Sequence, residues 1–302
     1  SIQTRVSISR GLNFDGSHFE NNGIDADGNV IEVPSHYHDV SLDIFRVVFQ
    51  VDYTFEEPWA IRTRVPIEQR SRMANIVDID PSATAEEIEA MERNLAIHHP
   101  PEILSGFGDV ELLLSWHAHD FGMEGGSLAI AAGSTLPTGR TEDDPYALGE
   151  VGERHEHIQF GTGTFDPLIE FNYGRPIGDD GVLSLFGQGR FPITESSKGF
   201  RGSNLIQGGL GYIKGLGEFG PWDDVNGVLG IFYQNQGRAE WNGVIDRNTG
   251  FQSYSLQLGL SWWDESMTSW NLSLVLPLKM ETPDESLDTY DPGPLINLAI
   301  GF

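Results

Sequence analysis

Gln252-Ser253-Tyr254-Ser255-Leu256-Gln257-Leu258-Gly259-Leu260-Ser261-Trp262 alternates without a break. Tyr254, Leu256, Leu258, Leu260 and Trp262 share one face with Gln252, while Ser253, Ser255, Gln257, Gly259 and Ser261 share the other. Successive side chains of a strand point to opposite faces, so this stretch has one apolar face and one small polar face. The next stretch repeats the pattern, with Trp270, Leu272, Leu274, Leu276 and Leu278 in the apolar row. Both rows carry tryptophan at the end near 263–268, where a lipid–water interface would place it. The chain has no run of apolar residues long enough for a membrane helix, which needs about twenty. A β-barrel needs none, because only the lipid-facing half of each strand must be apolar.

Working outward, about twelve strand-like segments can be placed by period-two alternation. They lie near 2–10, 40–55, 59–68, 106–119, 127–137, 158–173, 181–193, 204–214, 226–236, 250–262, 269–280 and 294–302. The connections alternate in length. Long ones fall near 11–35, 69–105, 138–157, 194–203, 237–249 and 281–293, and short ones near 56–58, 120–126, 174–180, 215–225 and 263–268. An even barrel with periplasmic termini has this rhythm, with long external loops and short periplasmic turns. The expectation is an all-β, antiparallel up-and-down transmembrane barrel in the bacterial outer membrane, formed by residues 1–302 as one domain. One loop should carry a helix: Thr84 and Glu87 are spaced as a capping box, and Ile88, Met91 and Leu95 recur at helical spacing before Pro100-Pro101. Its apolar stripe needs a partner, which the barrel rim or mouth would supply.

Composition fits this frame. The 302 residues include 36 glycines, 7 tryptophans and 17 phenylalanines, suited to close-set strands and aromatic belts. Without cysteine, no disulfide or thiolate metal site can form. A net charge of -27 argues against a nucleic-acid partner, since such binders neutralise phosphates with Lys and Arg. An acidic surface can instead collect cations, or be bridged by divalent ions to the anionic headgroups of outer-membrane lipid and lipopolysaccharide. The opening Ser1-Ile2-Gln3 carries no basic and apolar leader and reads as a mature form after export. In the last segment Ile296, Leu298, Ile300 and Phe302 share a face. A terminal phenylalanine on such a row resembles the end-signal of outer-membrane barrels, so removing Phe302 is expected to impair assembly.

Residues between the lipid-facing ones should line the lumen. Asp166, Glu170, Asn172, Gln234, Gln236, Gln257 and Lys279 fall in such places. Twelve strands enclose a narrow space that these side chains can either leave open or fill.

Three motifs occur in order: Gly106-Phe107-Gly108-Asp109, Leu136-Pro137-Thr138-Gly139 and Gly161-Thr162-Gly163-Thr164-Phe165-Asp166. Together they resemble the outer-membrane "MetA-pathway of phenol degradation" family of transporters, over roughly residues 105–302. The resemblance implies a β-barrel that passes small, often aromatic, organic solutes. The histidine-bearing front loops are not part of that pattern. By themselves the motifs are structural: glycines let aromatic neighbours cover backbone, and Pro-Thr-Gly ends a strand.

Eight of the 9 histidines are paired, as His36-Tyr37-His38, His98-His99, His117-Ala118-His119 and His155-Glu156-His157. On an extended strand, i and i+2 point the same way, so each HxH can present two imidazoles to one ion. Neutral imidazole suits copper, zinc or nickel, with Asp39, Glu153 or Glu156 as a further ligand or orienting group. His36, His38, His98, His99, His155 and His157 fall at the outer ends of the first three long connections and are expected to converge over one side of the mouth. His117 and His119 lie at the other end of their strand, as a separate pair.

Weaker signals are Asp25-Ala26-Asp27-Gly28-Asn29 with Glu32, which has calcium-type oxygen ligands but lacks EF-hand spacing and reads first as a hairpin turn. Glu142-Asp143-Asp144 reads as a solvated loop face. No segment marks an activated nucleophile, so the chain reads as a non-enzyme. The leading reading is a passive channel for a small solute. Its rivals are capture of copper or zinc by the external histidines, and a structural barrel that sheathes or anchors a periplasmic or surface protein.

Overall fold

The computed structural model describes residues 1–219, 222–283 and 288–302. Its elements, in order, are β1 (Ile2–Ile24), β2 (Val30–Glu56), β3 (Trp59–Val77), α1 (Ala85–His98), β4 (Glu102–Phe107), β5 (Val110–His119), β6 (Ser127–Leu136), α2 (Pro145–Glu150), β7 (Pro167–Ile177) and β8 (Gly181–Arg190). There follow β9 (Phe200–Arg201), β10 (Leu205–Phe219), β11 (Trp222–Gln236), β12 (Glu240–Trp241), β13 (Val244–Ile245), β14 (Phe251–Trp263), β15 (Ser269–Glu281), β16 (Asp288–Asp291) and β17 (Leu295–Gly301).

Neighbours pair antiparallel from β2 through β3, β5, β6, β7, β8, β10, β11, β14, β15 and β17 to β1, and β1 pairs with β2 to close the ring. The result is a closed barrel of 12 strands. β4 continues β5 along β3 beyond a break at Gly108-Asp109, β16 adds to β1, and β9, β12 and β13 form a small separate sheet among the loops.

The barrel is apolar on its outside. Phe49, Tyr53, Leu114, Ile169, Leu229 and Ile231 are among the large side chains left exposed, which in water would be an untenable patch. The register puts them all on the outer row: Leu256, Leu258 and Leu260 face Leu276, Leu274 and Leu272 across β14 and β15. Six of the 7 tryptophans gather at the short-turn end (Trp59, Trp116, Trp222, Trp262, Trp263 and Trp270), and Trp262 stacks on Trp270 with ring centroids 6.1 Å apart. This band of lipid-facing residues with one aromatic girdle is the surface of a transmembrane barrel.

Several boundaries differ from those read off the sequence. The segment 11–35 is strand almost throughout: β1 and β2 run as one hairpin to a turn at 25–29. Above Asp43 the outward row of β2 becomes polar (Asp43, Ser41, Asp39), so the hairpin leaves the lipid and continues as a wall in water, where strand pairing no longer needs an apolar row. β3 likewise continues to Val77, which shortens the second long connection. β7 begins at Pro167, because 158–166 turns into the mouth. β10 and β11 extend across most of 215–225, leaving only residues outside the described ones between them.

α1 forms where the capping box placed it: Glu87 N–H donates to Thr84 Oγ1 at 3.3 Å, and Thr84 N–H donates to the Glu87 carboxylate at 2.7 Å. Its stripe, Ala90 and Met91, packs on Val33 and Ile31 of the wall. A Cβ on Gly23 would lie 2.8 Å from Val33 Cγ1 and 3.0 Å from Ala90 Cβ, so glycine is what lets the helix seat there. Arg93 Nε and Asn94 Nδ2 donate to the carbonyls of Ile24 and Asn22, tying the helix to the end of β1.

Candidate functional site

The long-loop end is crossed by a lid whose centre is the segment 137–166. On one side Arg72 of β3, buried at 2% exposure, donates from Nη1 to both Glu156 oxygens at 2.9 and 2.8 Å. Its Nη2 reaches Glu102 at 3.0 Å and its Nε the Pro100 carbonyl at 3.0 Å. On the other side Tyr146 of α2 donates to Asp246 at 2.5 Å, Asn242 to Asp144 at 2.8 Å and Lys198 to the Thr141 carbonyl at 3.0 Å. The segment therefore spans the mouth from β3 to the loops around β9, β12 and β13.

The three glycine-rich motifs meet at the root of this segment. Asp109 accepts from Gly139 N–H at 2.8 Å, Thr162 N–H at 2.6 Å and Thr162 Oγ1 at 3.0 Å. The one Thr162 hydroxyl proton is shared with Asp166, fully buried and 2.9 Å from the same Oγ1; Asp166 also accepts from Thr164 Oγ1 at 2.6 Å, and its N–H donates to Thr135 Oγ1. Gly139 and Gly161 touch so closely that a Cβ on Gly161 would come within 2.7 Å of Gly139 Cα. Asp166 thus belongs to a structural knot at the mouth, where sequence placed it on a lumen-lining strand.

Between lid and wall lies a nest of seven histidines. The hairpin register sets His18 opposite His38 and Glu20 opposite His36, all turned to the interior. His98 and His99 arrive from the end of α1, and His155 and His157 from the lid. Ring centroids are 5.3 Å apart for His18–His38, 5.0 Å for His18–His99, 5.7 Å for His38–His99 and 5.1 Å for His36–His38. A second group holds His98–His155 at 4.5 Å and His155–His157 at 5.0 Å, and His99–His157 at 6.0 Å joins the two. The six loop histidines singled out from sequence are thus brought together, three of them on or beside strand and helix ends. His117 is elsewhere, on the inner face of β5 toward the short turns, 3.2 Å from Ser115 Oγ, with His119 beyond it.

His36 and His38 are fully buried and His155 nearly so. Burial first, and then the neighbouring imidazoles, hold His38 down to about 2 and His98 to about 3. Burial and His155 hold His157 to about 3. His18, His99 and His155 are lowered too, mainly by burial. These six imidazoles are neutral at neutral pH. Its ring nitrogens are under-used: His36 Nε2, His99 Nε2 and both nitrogens of His38 are buried without a hydrogen-bond partner. His36 Nδ1 lies 3.1 Å from the Pro34 carbonyl and His155 Nδ1 2.9 Å from that of Glu153. With Nδ1–H donating there, Nε2 is the bare lone pair.

Sequence reading missed His18, the one histidine outside the pairs. Pairing the strands straight back from the turn at 25–29 sets it opposite His36, and the β-bulge between Glu20 and Asn22 moves it to His38. The calcium-like Asp25 carboxylate is engaged by its own turn, accepting from Asp27 N–H, Asn29 N–H and Asn29 Nδ2 at 2.8–3.0 Å.

Below the lid the lumen has two unlike walls. On one, Glu170 of β7 accepts from Arg64 of β3 at 2.5 and 2.8 Å and from Arg62 at 3.2 Å. Arg62 also reaches Asp52 at 2.7 Å, and Arg64 reaches Glu111 at 2.8 Å. These arginines were not anticipated, though their inward phase on β3 follows from its outward Ile61. On the other wall, Gln188, Gln207, Gln234 and Gln257 face inward with Phe186 and Phe232, whose rings lie 5.1 Å apart. Asn172 pairs with Phe186 at the edge of this wall, and Gln236 closes its upper end. Lys279 is displaced from the lumen: a β-bulge between its strand and Tyr254-Ser255 sets it opposite outward-facing Tyr254, where it pairs with Glu281.

No family model matches the chain, and no curated protein matches it. Among solved structures, the COG4313 outer membrane channel from Pseudomonas putida F1 superposes with a TM-score of 0.54 at 11% identity, over 99% of this chain and 94% of that one. A mutant of the TodX monoaromatic hydrocarbon channel gives a TM-score of 0.45 at 7% identity, covering 99% of this chain and 89% of that one. A Pseudomonas aeruginosa FadL homologue gives 0.42 at 8% identity, covering 100% and 90%. The first likeness carries the fold, that of a bacterial outer-membrane β-barrel, and the two weaker ones add nothing to it.

Proposed function

We propose that the barrel is a passive channel for small, neutral organic solutes with an aromatic ring and a hydrogen-bonding substituent. The observation that carries this reading is the uncharged wall, where Phe186 and Phe232 stand half-exposed among Gln188, Gln207 and Gln234. A ring can stack on the phenylalanines while its hydroxyl exchanges hydrogen bonds along the amide row. Selectivity then comes from lumen lining and lid, with no chemical turnover. The resemblance of the three motifs to the MetA-pathway family supports the same reading.

Planar-bilayer current tests it, with a neutral probe such as 4-hydroxybenzyl alcohol added at millimolar concentration. The probe is expected to interrupt the ion current, and the double variant Phe186→Ala/Phe232→Ala to weaken that block severalfold. If the wild-type barrel and a variant with a loosened lid are both silent, the channel reading fails.

The charged wall gives a second expectation. Glu170→Gln leaves Arg62 and Arg64 short of a shared counter-charge, so the reversal potential in a salt gradient should move toward anion preference. An unchanged potential would place the current outside this lumen.

A further inference from the structure

We infer that His18, His38 and His99 form a binding site for one late first-row divalent ion, copper(II) or zinc(II), which staples α1 to the wall made by β1 and β2. One ligand atom from each of these residues lies within 4.8 Å of the other two. An ion bound at about 2.0–2.1 Å to each nitrogen needs them somewhat closer than that limit, which imidazole rotation at three half-buried to buried rings supplies.

The donor chemistry selects the ion class. The three donors are neutral imidazoles with no thiolate and no carboxylate among them, which suits copper and zinc and disfavours magnesium or calcium. The polar accounting points the same way. A neutral imidazole has one N–H and one lone pair, yet both nitrogens of buried His38 lack partners, as do His99 Nε2 and His36 Nε2. Leaving a buried polar group unpaired costs about 1–3 kcal/mol, so several in one place mark where a ligand belongs. His36, its Nδ1 turned to the Pro34 carbonyl, offers Nε2 at the edge of the same cluster as a fourth donor.

The position gives the ion its role. His18 and His38 are fixed by strand pairing, whereas His99 caps α1 through its N–H to the Leu95 carbonyl. An ion shared by all three joins the helix end to the part of the barrel wall that stands in water beyond the lipid belt. This holds whether or not solute passes through the lumen.

The experiment uses the full chain, folded in detergent, stripped with chelator and reloaded with copper(II) or zinc(II). The expected result is about one tightly held ion per chain, with nitrogen hyperfine structure in the copper spectrum. His38→Gln is expected to weaken binding by about 100-fold or more, since even losing a group that only orients a ligand costs about 10–100-fold. Should it not fold, as judged by heat-modifiable mobility, His18→Gln and His99→Gln carry the same test. His117→Ala/His119→Ala should bind as the wild type does. Loaded protein should resist proteolysis across 85–98, and chelator should expose that helix. Failure of both ions to bind, or full binding by the His18 and His99 variants, overturns the site. Binding with no change in cleavage across 85–98 overturns the staple.

Discussion

Replacing Arg72 with methionine is expected to detach the lid from the barrel wall while the membrane strands stay folded. The guanidinium is almost fully buried and holds three partners from two chain segments: the Pro100 carbonyl, Glu102 and both oxygens of Glu156. Methionine fills much of the volume but leaves two carboxylates facing one another with no cation between them. Breaking a buried ion pair from one side costs about 3–5 kcal/mol, mostly the penalty of the stranded charge. Part of that is relieved here, because Glu102 also pairs with Arg154 at the surface. Hydrogen exchange is the measurement. Amides of 85–101 and 153–160 should lose about two orders of magnitude of protection, the equivalent of roughly 3 kcal/mol of local opening. Strands such as β14 and β15 should be unaffected. Protection at wild-type levels in the lid would mean that the helix and wall contacts hold it without Arg72.

What the sequence made legible follows from where lipid imposes a pattern. Between Tyr254 and Trp262, or Trp270 and Leu276, every second residue must be apolar, and those strands and their facing were readable. Above the belt the constraint disappears. Asp15-Gly16-Ser17-His18-Phe19-Glu20 is strand in the fold, held by pairing with 36–41, yet it carries no apolar row by which to recognise it. The histidines of that hairpin consequently looked like loop residues when they are wall residues. Their pairing was visible because it is local. Their convergence depends on the turn, the helix and the lid, and His18 joins them only through cross-strand register. The stretch Ile158–Asp166 failed in the opposite sense: its glycines and alternating apolar residues imitate a strand, but its threonine hydroxyls and Asp109 fold it into the knot. Lys279 was misplaced by one residue of bulge, which period-two reasoning cannot see.

The second large effect is expected at Asp109. Its carboxylate, 6% exposed, takes the N–H groups of Gly139 and Thr162 and lies 3.0 Å from Thr162 Oγ1, so Asp109→Ala strands two backbone donors in a buried place, while the hydroxyl keeps Asp166. At about 1–3 kcal/mol for each unsatisfied group, the knot should lose on the order of 2–6 kcal/mol, more than a local segment can spare. Gly161→Ala attacks the same point by a different route. Its Cβ would lie 2.6 Å from Asp109 Oδ1 and 2.7 Å from Gly139 Cα, and backbone cannot yield as a side-chain tip can. Both variants should keep the heat-modifiable barrel, since the ring of strands closes without the knot, and both should become protease-sensitive within 137–166. Asp109→Asn retains one acceptor and should fall between them. Because the knot gathers both ends of the segment and Arg72 holds Glu156 between them, Asp109→Ala combined with Arg72→Met acts twice on one cooperative segment, and the two effects should fail to add. Strict additivity would show two independent attachments, and an intact lid in Asp109→Ala would show that the three glycine motifs serve the barrel wall rather than the segment that covers it.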